Sequence, residues 1–133
     1  MIAKVHARAI QAMDGAELFG IYCRDPKKAK ALEQEHGCKV YSDLDEFLSH
    51  DELDAVTIAT PSGAHLEPIT KAAQKGKHII CEKPLEISSE RILAAERVAR
   101  ENGVLLGGIF NRRFNPAVSA LKRAIENQRF GTI

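Results

Sequence analysis

Four short clusters hold the residues best suited to chemistry. Glu82-Lys83-Pro84 places a carboxylate beside an ammonium just after the apolar run His78 to Cys81. An ammonium so placed can bond a ligand hydroxyl, stabilise a developing alkoxide, or relay a proton where burial lowers its pKa. Pro84 biases Lys83 toward an extended backbone, which aims its side chain into a cleft beyond the strand. The competing reading is a solvated lysine at a strand end. Thr60-Pro61 lies just past a second apolar run, Ala55 to Ala59, with His65 shortly after. A lone histidine there is either a packed structural residue or a neighbour of the site. Asn111, Arg112 and Arg113 follow a third run, and Arg113 could hold an anion or an ion pair that ties domains together. Cys23, Arg24 and Asp25 end a fourth run with a thiol, a guanidinium and a carboxylate.

All four clusters fall where β-rich runs give way to helical ones. Ile2 to Met13 reads as a helix, with Ile2, Val5, Ala9 and Ala12 at helical spacing. Leu18 to Cys23 reads as a strand. Asp25 caps and Pro26 opens a helix with Ala29 and Leu32 inward, closed by Gly37. Val40 and Tyr41 form a short strand, and Ser42 caps a brief helix carrying Leu44, Phe47 and Leu48. Ala55 to Ala59 reads as a buried parallel strand. Ser62 can cap the next helix, in which Leu66, Ile69, Ala72 and Ala73 make one face and Gly76 ends it. His78 to Cys81 is a strand. Ser88 caps a helix with Ile92, Leu93, Ala95, Val98 and Ala99 inward, and Asn102-Gly103 ends it. Val104 to Leu106 begins a strand with Gly107-Gly108 at its end. Asn115-Pro116 opens a last helix through about Asn127, and Phe130 to Ile133 turns extended. The alternation predicts an α/β fold, a doubly wound parallel sheet covered on both faces. Because the order opens on a helix, that sheet is expected to lack its first strand, which normally runs at the centre.

The bulk composition narrows the function classes. The chain has 133 residues, one domain's worth, and its net charge of +1 gives no basic excess for nucleic acid. The three cysteines, Cys23, Cys38 and Cys81, form no metal-spaced pair and no disulfide framework. They imply a reducing compartment, and a cytoplasmic location is expected. The opening residues are too polar for a signal peptide, and no apolar run is long enough to span a bilayer. No metal, nucleic acid or membrane partner is expected.

Taken together and in order, Thr60-Pro61-Ser62-Gly63-Ala64-His65, Glu82-Lys83-Pro84 and Arg113-Phe114-Asn115-Pro116 resemble the Gfo/Idh/MocA family of NAD(P)-dependent oxidoreductases. The resemblance covers essentially the whole chain. Family members open with a strand, a GxGxxG/A loop and a helix often reading IAxxHARA, which Ile2 to Ala9 matches. Ala3 then stands at the last small residue of the glycine fingerprint, and Met1 just after its second glycine. On this reading Met1 is an internal methionine, and residues 1–133 are a partial Rossmann domain whose C-terminal α+β substrate domain is absent. The gap is expected to cause marginal stability, or self-association into a homo-oligomer.

The resemblance implies roles residue by residue. Lys83 is the family lysine near the nicotinamide and the reacting carbinol, and so the catalytic candidate. Glu82 binds cofactor or orients Lys83. The backbone of Thr60 and Pro61 lines the ribose or nicotinamide side, with His65 beside the site. Asn111 and Arg113 approach the nicotinamide ribose and the domain crossing. The position that normally carries a ribose-binding acid falls at Cys23, and Arg24 could pair a 2′-phosphate instead, which favours NADP over NAD. Alternatively, Asp25 only caps its helix and Arg24 is merely exposed. The implied reaction is hydride transfer between NAD(P) and a sugar, cyclitol or related polyol. The family's proton-transfer Asp and His come from the second domain, so this chain lacks the full catalytic set. Two other functions stay open: an NAD-dependent glycosidase relative, and a non-catalytic truncated binding module. A response-regulator-like domain is the rival at the level of fold.

Overall fold

The computed structural model describes residues 2–132, so the expectations placed on Met1 and Ile133 lie outside it. Helices and strands alternate as α1 (Ile2–Gln11), β1 (Gly20–Tyr22), α2 (Pro26–His36), β2 (Lys39–Tyr41), α3 (Leu44–Leu48) and β3 (Ala55–Ile58). They continue as α4 (Leu66–Gln74), β4 (His78–Glu82), α5 (Ser89–Glu101), β5 (Leu106–Ile109), a 3-10 turn (Asn111–Phe114) and α6 (Pro116–Glu126). Every strand pairing is parallel. β1 lies beside β2 with Ile21 opposite Val40, and β4 runs between β3 and β5, with Ile58 opposite Cys81 and Glu82 opposite Ile109. This is the expected Rossmann-like α/β arrangement.

The sheet is in two parts, β1-β2 and β3-β4-β5. Between them runs a groove of about 430 Å³, walled by Gly20 to Tyr22 on one side and Ala55 to Ile58 on the other. Ala3, His6, Ala7 and Ile10 of α1 line it along its length. Among the described residues β1 and β3 therefore each keep an unpaired edge, at the position where the sheet was expected to lack a strand. From this groove the chain winds outward in both directions, which makes it the topological switch point of the sheet.

The core lies under one face of β3-β4-β5. Ile69, Ala72 and Ala73 of α4 and Ala95 and Ala99 of α5 pack on Ile79 and Cys81. A smaller aromatic cluster of Phe19, Tyr41, Phe47 and His50 closes the other end, with Tyr41 and Phe47 5.2 Å apart. Tyr41 reaches over Gly20, where an added Cβ would lie 2.8 Å from the ring.

Several local expectations hold and others change for physical reasons. The Asp25 carboxylate accepts the Lys27 and Lys28 amides at the start of α2, and Gly37 closes that helix at φ 66°. Ser88 and Asn115 cap α5 and α6. The cap of α3 is Asp43, not Ser42; its carboxylate accepts the Glu46 amide at 2.7 Å. Ser62 caps nothing, because the chain turns at Ser62-Gly63 before α4 begins. The inward face of α1 is Ala3, His6, Ala7 and Ile10, while Ile2 and Val5 are exposed, because small residues let the helix sit close to the strands. Ile92 and Leu93 on α5 are also exposed, and β5 runs through Gly107-Gly108 rather than ending at it. β3 is less buried than its apolar run implies, since its free edge faces the groove.

Candidate functional site

The carboxyl ends of β1 and β3 bring one group of candidates together. Cys23, Arg24, Asp25, Thr60, Pro61 and Ala64 line the mouth of the groove, with Ala3 of the first turn of α1 among them. The backbone of Thr60 is braced by its own hydroxyl, which donates to the Ala64 carbonyl at 2.9 Å. Cys23 donates its thiol to the Asp25 carbonyl at 3.6 Å and its amide to the Tyr41 carbonyl, so it ends the strand. Arg24 is exposed. The Asp25 carboxylate is held by the Lys28 ammonium at 3.1 Å as well as by the two amides, which lowers its pKa. That carboxylate is committed within its own helix end, and Arg24 beside it is exposed.

A second group gathers at the end of β4. His6 spans the groove wall: its Nδ1 meets the Thr57 hydroxyl at 2.7 Å and its Nε2 meets Glu82 Oε1 at 3.0 Å. The other carboxylate oxygen of Glu82 accepts the Lys83 amide at 3.0 Å. Burial opposes the charge on Glu82, but His6 and the Lys83 amide outweigh it and hold its pKa below the ordinary carboxylate value. Lys83 itself is exposed. Asn111 and Arg113 are exposed on the 3-10 turn that follows β5, whose Ile109 is the register partner of Glu82.

Beneath both groups lies a buried polar frame. His65 is fully buried; its Nδ1 faces the Pro84 and Leu85 carbonyls at 3.0 and 3.2 Å and its Nε2 faces the Thr60 carbonyl at 2.9 Å. Both ring nitrogens thus face backbone carbonyls, which gives His65 a structural role beside the candidate site. It ties the segment after β3 to the segment after β4. Glu86, only 3% exposed, does the same from the other side. It accepts the His65 and Leu66 amides at the start of α4, its own neighbour Ile87, and the Arg91 guanidinium through both oxygens. Arg91 also donates to the Gly63 carbonyl at 3.3 Å. The paired guanidinium, followed by the amides, depresses the Glu86 pKa to about 2.

Sequence reasoning named neither His6, Thr57, Glu86 nor Arg91 as site residues. His6 carried a usable signal, one helical turn beyond Ala3 on the same face. Glu86 and Arg91 carried none, because the His65 and Leu66 amides and the Gly63 carbonyl that they reach lie distant in the chain. Cys81 is fully buried and its thiol is pushed up to about 12 by burial, with Glu86 and Glu82 adding to it, so it packs as a hydrophobe. Among the described residues no group of three or more His, Cys, Asp or Glu could hold a metal ion, and no helix is long and apolar enough to cross a membrane.

The decisive comparison is with known families. Residues 1–110 match the family described as "Oxidoreductase family, NAD-binding Rossmann fold", GFO_IDH_MocA. This chain belongs to the Gfo/Idh/MocA oxidoreductase family. Among its relatives, an inositol 2-dehydrogenase of Rhizobium meliloti is 36% identical over 132 residues, covering 99% of this chain and 40% of that protein. A scyllo-inositol 2-dehydrogenase (NAD(+)) of Bacillus subtilis is 38% identical over 130 residues, 95% of this chain and 37% of the relative. Among solved structures, the WlbA dehydrogenase of Bordetella pertussis in complex with NADH and UDP-GlcNAcA superposes with a TM-score of 0.92 at 36% identity. That match covers 98% of this chain and 38% of the other. The Gfo/Idh/MocA chain described here therefore spans about two fifths of the length of the relatives it matches.

Proposed function

We propose that the chain is the nucleotide-binding portion of an oxidoreductase that moves a hydride between NAD(P) and the carbinol of a sugar, cyclitol or related polyol. The observation that carries this reading is the convergence, at the switch point of the sheet, of a groove mouth with the Glu82-Lys83 end of β4. Open α/β sheets bind nucleotides at such a crevice. Ala3 in the first turn of α1 lines it, and a helix N-terminus there suits a pyrophosphate. Ala3, Cys23, Arg24, Thr60, Pro61, Glu82, Asn111 and Arg113 would hold the cofactor. Bound there, the nicotinamide supplies the acceptor for the hydride.

Lys83 contributes a positive charge at the reacting hydroxyl. As the carbinol C–H pair leaves as hydride, the carbonyl π bond forms and the hydroxyl proton passes to a base. An ammonium donating to that oxygen stabilises the charge that develops on it. The base and the contacts that choose the substrate belong to a second, α+β domain, which this reading requires. It also requires a parallel strand in the groove between β1 and β3. The homologous complex with NADH and UDP-GlcNAcA, and the two inositol dehydrogenases, support the substrate class. Arg24, exposed beside a committed Asp25, supports a preference for NADPH over NADH.

Calorimetry with NADH and NADPH tests the reading on this chain and on a version extended with a strand and glycine-rich loop. Binding after extension, with NADPH the tighter, is the expected result. Arg24→Ala should then weaken NADPH by about tenfold and leave NADH alone, the loss expected for a guanidinium–phosphate contact. Binding of neither nucleotide by either protein sinks the assignment. In an extended, two-domain enzyme Lys83→Met should lower kcat by at least about a hundredfold with little change in NADH affinity.

A further inference from the structure

We propose that His6 is a positioning residue that keeps the Glu82 carboxylate off Lys83 and so leaves the Lys83 ammonium free for its ligand. The proposal deepens the reading above and rests on it for the identity of that ligand. Glu82 is next to Lys83 in the chain and feels its charge, which helps to hold the carboxyl pKa down. In this structure the pairing is absent: among the described residues no carboxylate lies within ion-pair distance of Lys83 Nζ. The reason is geometric. Both oxygens of Glu82 are already engaged, Oε1 by His6 Nε2 at 3.0 Å and Oε2 by the Lys83 amide at 3.0 Å. The His6 side chain is 11% exposed and that of Glu82 14%, so the pair is largely shielded from water.

The row also fixes which nitrogen of His6 carries hydrogen. An ionised Glu82 only accepts, so Nε2 must donate. Nδ1 then accepts from the Thr57 hydroxyl at 2.7 Å, or donates to it when the ring is charged. Thr57 sits inside β3 and cannot move without the strand, so the imidazole has one orientation. Among the described residues the charged group in contact with His6 is Glu82, across the groove wall. A hydroxyl, an imidazole and a carboxylate in series also occur in nucleophilic sites. Thr57 is instead a β-branched residue within a paired strand, where its hydroxyl serves to aim the ring. The effect of the row on Lys83 is exercised through Glu82, with no contact between His6 and the ammonium.

The test is the reactivity of Lys83 toward an amine-acylating ester, read by mass spectrometry of the Lys83 peptide in this chain. His6→Ala should free Glu82 Oε1 to swing onto Nζ and slow acylation by about threefold, the range an exposed ion pair commands. His6→Gln, whose side-chain Nε2 can stand where the ring Nε2 does, can still donate to Glu82 and should restore the rate. The double variant His6→Ala with Glu82→Gln should also return to the wild-type rate, which a loss of packing would not do. If His6→Ala fails to fold, Glu82→Gln alone decides: the proposal expects an unchanged rate, because the carboxylate was never paired with Lys83. A faster rate in Glu82→Gln, or an unchanged rate in folded His6→Ala, overturns it. Protection of Lys83 by NADH in the extended protein separately tests the cofactor reading. The expected slowing in His6→Ala without such protection would leave the role of His6 standing and remove the ligand assigned to Lys83.

Discussion

Glu86 keeps its charge in a place without water because five N–H groups point at it: three backbone amides and two from Arg91. Its pKa of about 2 lies below the ordinary 4.5, so its contribution to stability is whole above pH 4.5. That contribution is lost as pH falls from 4.5 toward 2. Acid unfolding followed by circular dichroism should show this loss, and Glu86→Gln should remove it. The variant should also be about 3 kcal/mol less stable at neutral pH: its amide oxygen can keep the His65 and Leu66 amides, but the Ile87 amide and Arg91 Nε lose their acceptor and the Arg91 charge loses its partner. Equal stability of the two proteins at pH 7 would show that the guanidinium finds water instead. His65 complements Glu86 across the same two segments, but through uncharged carbonyl acceptors.

Among the elements, β1 is the most constrained for its length. A Cβ on Gly20 would stand 2.8 Å from the Tyr41 ring and 3.0 Å from the Lys39 carbonyl. The ring could shift, but the carbonyl belongs to the ladder with β2. Gly20→Ala should therefore cost about 1–3 kcal/mol, read as a lower urea midpoint at unchanged slope. What was legible in the sequence follows from this kind of locality. Asp25-Pro26, Ser88 and Asn115-Pro116 announced their helices because a cap bonds to amides two or three residues away. Ala55 to Ala59 and His78 to Cys81 announced strands because apolar runs between breakers leave few other forms. α4 was misjudged at its start because its cap comes from Glu86, about twenty positions along the chain, which no local pattern encodes. The face of α1 was misjudged for a related reason. Its inward residues include a histidine whose partners, Thr57 and Glu82, exist only once the strands assemble. The candidate site drew its motifs from resemblance, at Lys83 and Thr60-Pro61. It was opaque where polar groups meet across the fold.

The molecule as a whole presents more unfinished surface than a chain of its size usually does. β1 and β3 leave free edges along the groove, and α6 turns Val118, Leu121 and Ile125 outward at 42, 52 and 45% exposure. Free strand edges invite pairing with another chain. Sedimentation of the isolated 133-residue chain should show association that grows with concentration, whereas a stable monomer at high concentration would show the edges to be protected. The buried frame has a consequence in time as well. The amides that Glu86 accepts belong to α4, yet Glu86 reaches them only after β4 has been laid beside β3. The first turn of α4 is thus completed by an event that follows sheet assembly. Glu86→Gln should leave the folding rate nearly unchanged and speed unfolding, so that almost all of its cost appears in one arm of the chevron. The clamp acts as a latch on the finished domain: it sets how long the native state lasts, and has little to do with how soon it is reached.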